Sequence, residues 1–143
     1  MTSAEASDVF NCSPAQFFKI VSDYEKYPEF LSEVKSCKIL KTEGNRKLVE
    51  YNISLIKTFK YNLWMTDKEP NEVIWEFASG DVFKKNSGSW KLKEEGGKTR
   101  ATYQVTTDFT LFVPGPIAKA LVSVNLPSMM SAYQKRVAEL YGR

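Results

Sequence analysis

Hydrophobic and polar residues alternate through the middle of the chain with the period of two that is typical of β-strands. Two neighbouring stretches show the alternation most clearly, and their apolar positions are Val49, Tyr51, Ile53 and Leu55, and Phe59, Tyr61, Leu63 and Met65. The pattern predicts strands over Val34–Leu40, Lys47–Lys57, Thr58–Asp67, Glu72–Ala78, Lys84–Glu94 and Lys98–Phe109. Because short turns join most of these stretches, we expect an antiparallel meander with one apolar face.

Two short helices are predicted before this meander. A strand over Asp8–Cys12 comes first, and Ser13 followed by Pro14 then provides an N-cap and a proline in the first helical position. A second short helix is expected over Glu25–Leu31. The first strand can join the later ones, so we expect a sheet of six to seven strands.

A long helix is predicted at the C-terminal end. Pro114-Gly115-Pro116 breaks the chain, and apolar residues then recur at helical spacing from Ile117 to Leu140. Pro127 is expected to kink or split this helix, because proline lacks an N–H and its ring clashes with the preceding turn. This helix is the large element that can cover the apolar face of the sheet, which indicates an α+β fold.

A strongly curved sheet stands off from a straight helix at its middle, so we expect a cavity between them. Alternation and helical spacing direct a set of candidate ligand-binding residues into this cavity. They are Tyr51, Tyr61, Leu63, Trp75, Phe77, Trp90 and Tyr103 from the strands, and Leu121, Val124, Ser128 and Met129 from the helix. The three tyrosines are the expected polar anchors, because a buried phenol needs a hydrogen-bond partner. Core packing is the alternative role for each member of the set.

The composition suits such a cavity and disfavours other kinds of site. Aromatic residues make up 13% of the 143 residues, and aromatic side chains commonly line apolar pockets. The net charge is +3 and the basic residues are scattered along the chain, so no nucleic-acid partner is expected. Cys12 and Cys37 lack the spacing of a zinc or redox motif, and we expect neither a metal nor a cofactor.

The chain shows no signal for export or membrane insertion. Its first residues lack the basic and then apolar pattern of a secretory leader, and no stretch reaches roughly 18 apolar residues. We therefore expect a cytoplasmic protein. A small apolar patch is expected to permit transient membrane contact, and it consists of Phe112, Val113, Ile117 and Leu121.

Candidate catalytic groups are few. The chain has no histidine, which is the commonest general acid or base near neutral pH. Glu76 and Asp108 lie on predicted strands, but their positions in the alternation place them on the polar face. No Gly-x-Ser-x-Gly motif is present. Whether the protein is an enzyme stays open, although this shortage of candidate groups argues against catalysis.

Three segments together resemble the polyketide cyclase and dehydrase family of the START-like superfamily, which includes the coenzyme Q-binding START-domain proteins. The first is the helical stretch from Ser13 to Leu31, which ends in Tyr27-Pro28-Glu29-Phe30-Leu31. The others are Gly88-Ser89-Trp90 and Gly97-Lys98-Thr99-Arg100. After Leu31 the chain continues with Ser32-Glu33-Val34, where coenzyme Q-binding and ribosome-association relatives typically have Pro-Trp-Cys.

This resemblance implies a single START-like domain over residues 1–143, with the helix-grip arrangement of sheet and final helix. It implies a hydrophobic ligand that is lipid-like, quinone-like or polyketide-like. The expected function is therefore binding or transport of such a molecule. Two alternatives stay open, namely a polyketide cyclase or aromatase, and an interaction module with a protein partner like the ribosome-association relatives.

Overall fold

The computed structural model describes residues 2–55, 57–110, 113–119 and 126–142. Its elements in chain order are β1 (Thr2–Phe10), α1 (Pro14–Ser22), a 3₁₀ helix (Tyr24–Glu29), β2 (Val34–Glu43), β3 (Arg46–Leu55), β4 (Lys57–Lys68), β5 (Glu72–Gly80), β6 (Phe83–Glu95), β7 (Lys98–Phe109), α2 (Gly115–Lys119) and α3 (Leu126–Tyr141). The seven described strands form one antiparallel sheet in the order β1-β7-β6-β5-β4-β3-β2. The predicted α+β fold, with a seven-stranded antiparallel sheet and a C-terminal helix, is confirmed.

The first strand is longer than predicted and ends earlier. It pairs with β7 from Thr2 opposite Thr107 to Phe10 opposite Thr99, whereas the prediction covered Asp8–Cys12. Residues 2–7 contain alanine, serine and glutamate, which have weak strand preferences, so the pairing with β7 rather than local propensity makes this segment a strand. The strand places the chain's start next to its last strand.

The two helical segments after β1 differ in how regular they are. Ser13 Oγ accepts a hydrogen bond from the Gln16 backbone N–H at 3.2 Å, and Gln16 Oε1 accepts one from the Ser13 N–H at 3.0 Å. This capping box starts α1 as expected. The second segment is a 3₁₀ helix that ends at Glu29 rather than Leu31. Pro28 inside it has no N–H to continue a helical ladder.

Side-chain contacts attach helix α3 to β1 and to the 3₁₀ helix. The Gln134 side-chain amide donates to Asp8 Oδ2 and to the Val9 carbonyl oxygen, both at 2.9 Å. Arg136 Nη2 pairs with Glu29 Oε1 at 2.9 Å. Residues 120–125 lie outside the described part of the chain, so the predicted continuity of the final helix is not tested; Pro127 is the second residue of α3.

Aromatic packing joins α1, α3 and the sheet. The ring of Phe17 lies 4.4 Å from that of Phe10 and 5.4 Å from that of Trp90, measured between centroids. The Tyr133 ring on α3 lies 5.1 Å from the Trp90 ring. These side chains are all 3% exposed or less, so they form the centre of the core.

Gly88 on β6 allows the ring of Trp75 to lie directly against the strand. A Cβ atom at position 88 would lie 2.2 Å from the Gln104 carbonyl oxygen and 2.5 Å from Trp75 Cζ2. We expect Gly88→Ala to lower the free energy of unfolding by about 1–3 kcal/mol, because the backbone or the ring must move. Gly115→Ala is the matched control, since position 115 has open space. Equal losses in urea unfolding of the two variants would contradict this account.

Candidate ligand-binding cavity

A cavity of about 150 Å³ lies between the apolar face of the sheet and α3. Its described lining comes from the 3₁₀ helix, the turn that follows it, strands β2 to β7 and α3. Seven of the residues predicted to contact a ligand line it, namely Tyr51, Tyr61, Leu63, Trp75, Trp90, Tyr103 and Met129. The structure therefore brings most of the predicted set into one place.

The other four predicted residues are not in the described lining. Phe77 is half-buried, and its ring centroid lies 6.3 Å from that of Phe83, which does line the cavity. Leu121 and Val124 lie outside the described residues. Ser128 is exposed, so its expected inward orientation is wrong. The buried side of α3 instead follows Met130, Tyr133 and Val137.

Several polar groups on the cavity wall are already satisfied by the protein. Trp75 Nε1 donates a hydrogen bond to Asn86 Oδ1 at 3.2 Å. The Tyr27 hydroxyl donates to the Val21 carbonyl oxygen, and the Tyr51 hydroxyl makes a weak contact with Met65 Sδ at 3.4 Å. These groups shape the cavity, and they have little hydrogen-bonding capacity left for a ligand.

Tyr61 and Tyr103 differ from those residues. Their hydroxyls make no hydrogen bond within the described part of the chain, and both residues are half-buried on the cavity wall. The Tyr61 ring stacks on Tyr51 with 5.5 Å between centroids and 18° between planes, which fixes its orientation. Burial raises the pKa of both phenols well above the usual value, so they stay protonated at neutral pH. Each can donate a hydrogen bond to a ligand and accept one from it.

Glu33 adds a carboxylate to this lining. It is half-buried in the turn before β2, and its backbone carbonyl accepts a hydrogen bond from the Ser54 N–H at 2.7 Å. Its side chain makes neither an ion pair nor a hydrogen bond with any described residue. After burial, which is the larger cause, the charge of Glu33 further raises the pKa of Tyr103. It acts in the same direction on Tyr61 and Tyr133.

The sequence prediction missed some of the lining, and the reasons differ. Asn86 alternates with Gly88 and Trp90 along β6, so it could have been found from the period of two; the lysines before it obscured the pattern. Tyr133 lies in the predicted C-terminal helix, but it is not among the residues predicted to face the cavity. Glu33 lies in a turn, where neither alternation nor helical spacing indicates an orientation.

The groups considered for other chemistry lie elsewhere. Glu76 is exposed and pairs with Arg46 at 3.2 Å, and neither it nor Asp108 is in the described lining. Both cysteines are buried and free. Burial raises the pKa of Cys12 to about 11 and that of Cys37 further, so both thiols are protonated at neutral pH.

The apolar patch proposed for membrane contact is not formed as expected. Ile117 is 5% exposed and belongs to the buried residues, so it cannot present a side chain to a membrane. Val113 is half-buried, and Phe112 and Leu121 lie outside the described residues. Of the helices described, none is both long and apolar enough to cross a bilayer.

Comparison with known proteins adds a family and a fold. The sequence pattern of the family described as polyketide cyclase / dehydrase and lipid transport matches residues 10–132. The ribosome association toxin RatA of Pseudomonas aeruginosa is 27% identical in an alignment of 131 residues that covers 87% of this chain and 88% of that protein.

Among solved structures, a START superfamily protein from Mycobacterium smegmatis superposes with a TM-score of 0.85, 22% identity and coverage of 96% and 98% of the two chains. The Zhui aromatase/cyclase from Streptomyces sp. R1128 superposes with a TM-score of 0.71 and 11% identity, over 96% of this chain and 87% of that one. At these identities the superpositions establish a shared fold.

Proposed function

Because the chain belongs to the polyketide cyclase / dehydrase and lipid transport family, we propose that it binds a hydrophobic small molecule in the cavity between its sheet and α3. The observation that carries this proposal is an aromatic cavity in which two phenol hydroxyls and a carboxylate have no described protein partner. Apolar walls with a few unpaired polar groups are the usual composition of a small-molecule site.

The size of the cavity limits what it can enclose. A dry protein cavity of about 150 Å³ holds a molecule of the size of benzene, and pockets for drug-sized ligands are larger. We therefore propose that the cavity encloses a ring or a short apolar segment. The rest of a lipid-like or polyketide-like ligand would extend past the turn that carries Glu33.

Met129→Trp tests this proposal. Met129 is half-buried on the cavity wall, so a larger side chain there can occupy the space without entering the centre of the core. We expect the neutral fluorescent probe N-phenyl-1-naphthylamine to bind the wild-type protein saturably, and Met129→Trp to weaken this binding by about tenfold or more.

Ser128→Trp is the matched control, because it adds the same ring at the neighbouring, exposed position. It should bind the probe as the wild type does. Equal weakening in both variants, or no saturable binding to the wild type, would defeat the proposal.

Cyclisation of a polyketide is the alternative that the family name includes. The cavity phenols are protonated at neutral pH because their pKa values are raised, so they can polarise a carbonyl but cannot act as bases. Within the described lining Glu33 is the one carboxylate that could accept a proton. Binding alone needs fewer groups, and we therefore place it first.

Association with ribosomes is a second candidate function. It is supported by the similarity to the ribosome association toxin, which extends over 87% of this chain. Co-sedimentation of the purified protein with ribosomal subunits tests it. The cavity-filling variant Met129→Trp should not change such an association, which separates this candidate from ligand binding.

A further inference from the structure

The cavity carries a negative charge with no described positive charge to balance it. Its lining holds one carboxylate, that of Glu33, and contains neither lysine nor arginine among the described residues. Among the residues that the structure does not describe, Arg143 alone has a basic side chain, and the chain has no histidine. Within the described lining, a ligand therefore meets a carboxylate with no opposite charge beside it at the turn before β2.

The aromatic composition of the lining also favours a cation over an anion. Tyr61, Tyr103 and Trp90 are among the aromatic side chains of the lining, and the face of an aromatic ring attracts a cation. The Tyr61 and Tyr103 hydroxyls can also accept a hydrogen bond from an N–H group. An anionic head group would find no positive charge in the described lining and would be repelled by Glu33.

We propose that the ligand is a hydrophobic molecule with a protonated amine, which pairs with the Glu33 carboxylate while its apolar body occupies the aromatic cavity. This inference rests on the proposed binding function and specifies the class of ligand. Covering Glu33 with an apolar or anionic group would remove water from its carboxylate without replacing the lost hydrogen bonds. An ammonium group replaces them with a charge-assisted hydrogen bond, which is the stronger kind.

Three probes of nearly the same shape test the inference by calorimetric titration. They are 2-naphthylmethylamine, 2-naphthalenemethanol and 2-naphthoate, which are cationic, neutral and anionic at neutral pH. We expect affinities in that order, with about tenfold or more between the amine and the carboxylate. Glu33→Gln should lower the affinity for the amine about tenfold, to the level of the alcohol, and leave the affinity for the alcohol unchanged.

Glu5→Gln is the matched control, because it makes the same change of net charge at an exposed position on β1 and should leave all three affinities unchanged. Thermal unfolding establishes that both variants are folded. Equal affinities of the wild type for the three probes, or equal weakening of amine and alcohol binding by Glu33→Gln, overturns the inference and leaves the proposed function standing. If neither these probes nor N-phenyl-1-naphthylamine binds the wild type, the proposed function fails with it.

Discussion

Raising the pH above about 11 is expected to unfold the protein in one cooperative step, because its buried tyrosines cannot ionise while it is folded. Four of them, Tyr24, Tyr27, Tyr51 and Tyr133, are 6% exposed or less. Burial is the largest cause that raises the pKa of each of these phenols far above the usual value. Tyr24 also donates its hydrogen bond to the Asp67 carboxylate, which favours the protonated phenol further.

The sign of the effect follows from which state releases the protons. In the unfolded chain a tyrosine ionises near pH 10, whereas the folded protein keeps these four phenols protonated. The contribution of each is therefore fully present below about pH 10 and is lost as the pH rises above it. In that range each tyrosine lowers the free energy of unfolding by roughly 1.4 kcal/mol per pH unit, so these four together lower it by roughly 5–6 kcal/mol per unit. A domain stabilised by about 5–15 kcal/mol unfolds within one to three such units.

A spectroscopic titration checks this expectation. Phenolate absorbance should rise together with the loss of the near-ultraviolet circular dichroism signal. Tyr51→Phe removes one of the buried phenols at the cost of one weak contact with Met65, so it should reduce the pH slope by roughly 1.4 kcal/mol per unit. Phenolate absorbance that develops gradually while tertiary structure persists would show that these tyrosines ionise in the folded protein.

The sheet could be predicted closely because alternation and turn residues can be read from short stretches of the sequence. Strands β3 and β4 alternate cleanly, and the turns between later strands contain glycine or proline, so register and face follow from the period of two. Six of the seven predicted lining residues follow from the same alternation, and Met129 follows from the helical spacing. The start of β1 could not be found this way, since Ala4 and Ala6 are partly buried only through pairing with β7 and contact with the core.

The missed parts of the cavity depend on contacts between segments that are distant in the sequence. The position of Glu33 depends on the turn that carries it. That turn is held by the 3₁₀ helix before it and by the hydrogen bond from the Ser54 N–H to the Glu33 carbonyl oxygen. Ser128 and Met129 are neighbours on α3, and the docking of that helix through Gln134 and Arg136 decides which of them faces inward. Sequence spacing gives a helical face only to within about one residue, so it does not separate such neighbours.

The aromatic residues that suggested a cavity also fill part of the space between sheet and helix. Phe10, Phe17 and Tyr133 close one side of this space by packing on Trp90 or on each other. Tyr61 and Tyr103 remain on the wall, and their hydroxyls have no partner among the described residues. A high aromatic content thus serves both the core and the site, and composition alone does not divide the residues between them.

Trp90→Ala is expected to lower the free energy of unfolding by about 3–5 kcal/mol, which is the usual cost of removing a large aromatic side chain from a core. Trp90 is 3% exposed, and its ring lies within 5.4 Å of the rings of Phe17, Tyr103 and Tyr133, centroid to centroid. These partners belong to α1, β7 and α3, so the tryptophan links both helices to the sheet. Its removal leaves a void that none of the three elements can close alone.

Trp75→Ala is the comparison that isolates the contribution of the contacts between Trp90 and the two helices. Trp75 is buried to a similar degree, but its one described ring partner is Tyr103 at 5.5 Å, and its ring borders the existing cavity. Both tryptophans border the cavity, but Trp75 has fewer ring partners, so we expect a loss smaller by about 1–2 kcal/mol than for Trp90→Ala. Guanidinium unfolding with unchanged m-values measures both losses. Equal losses, or a smaller loss for Trp90→Ala, would mean that the ring contacts of Trp90 with α1 and α3 contribute little to stability.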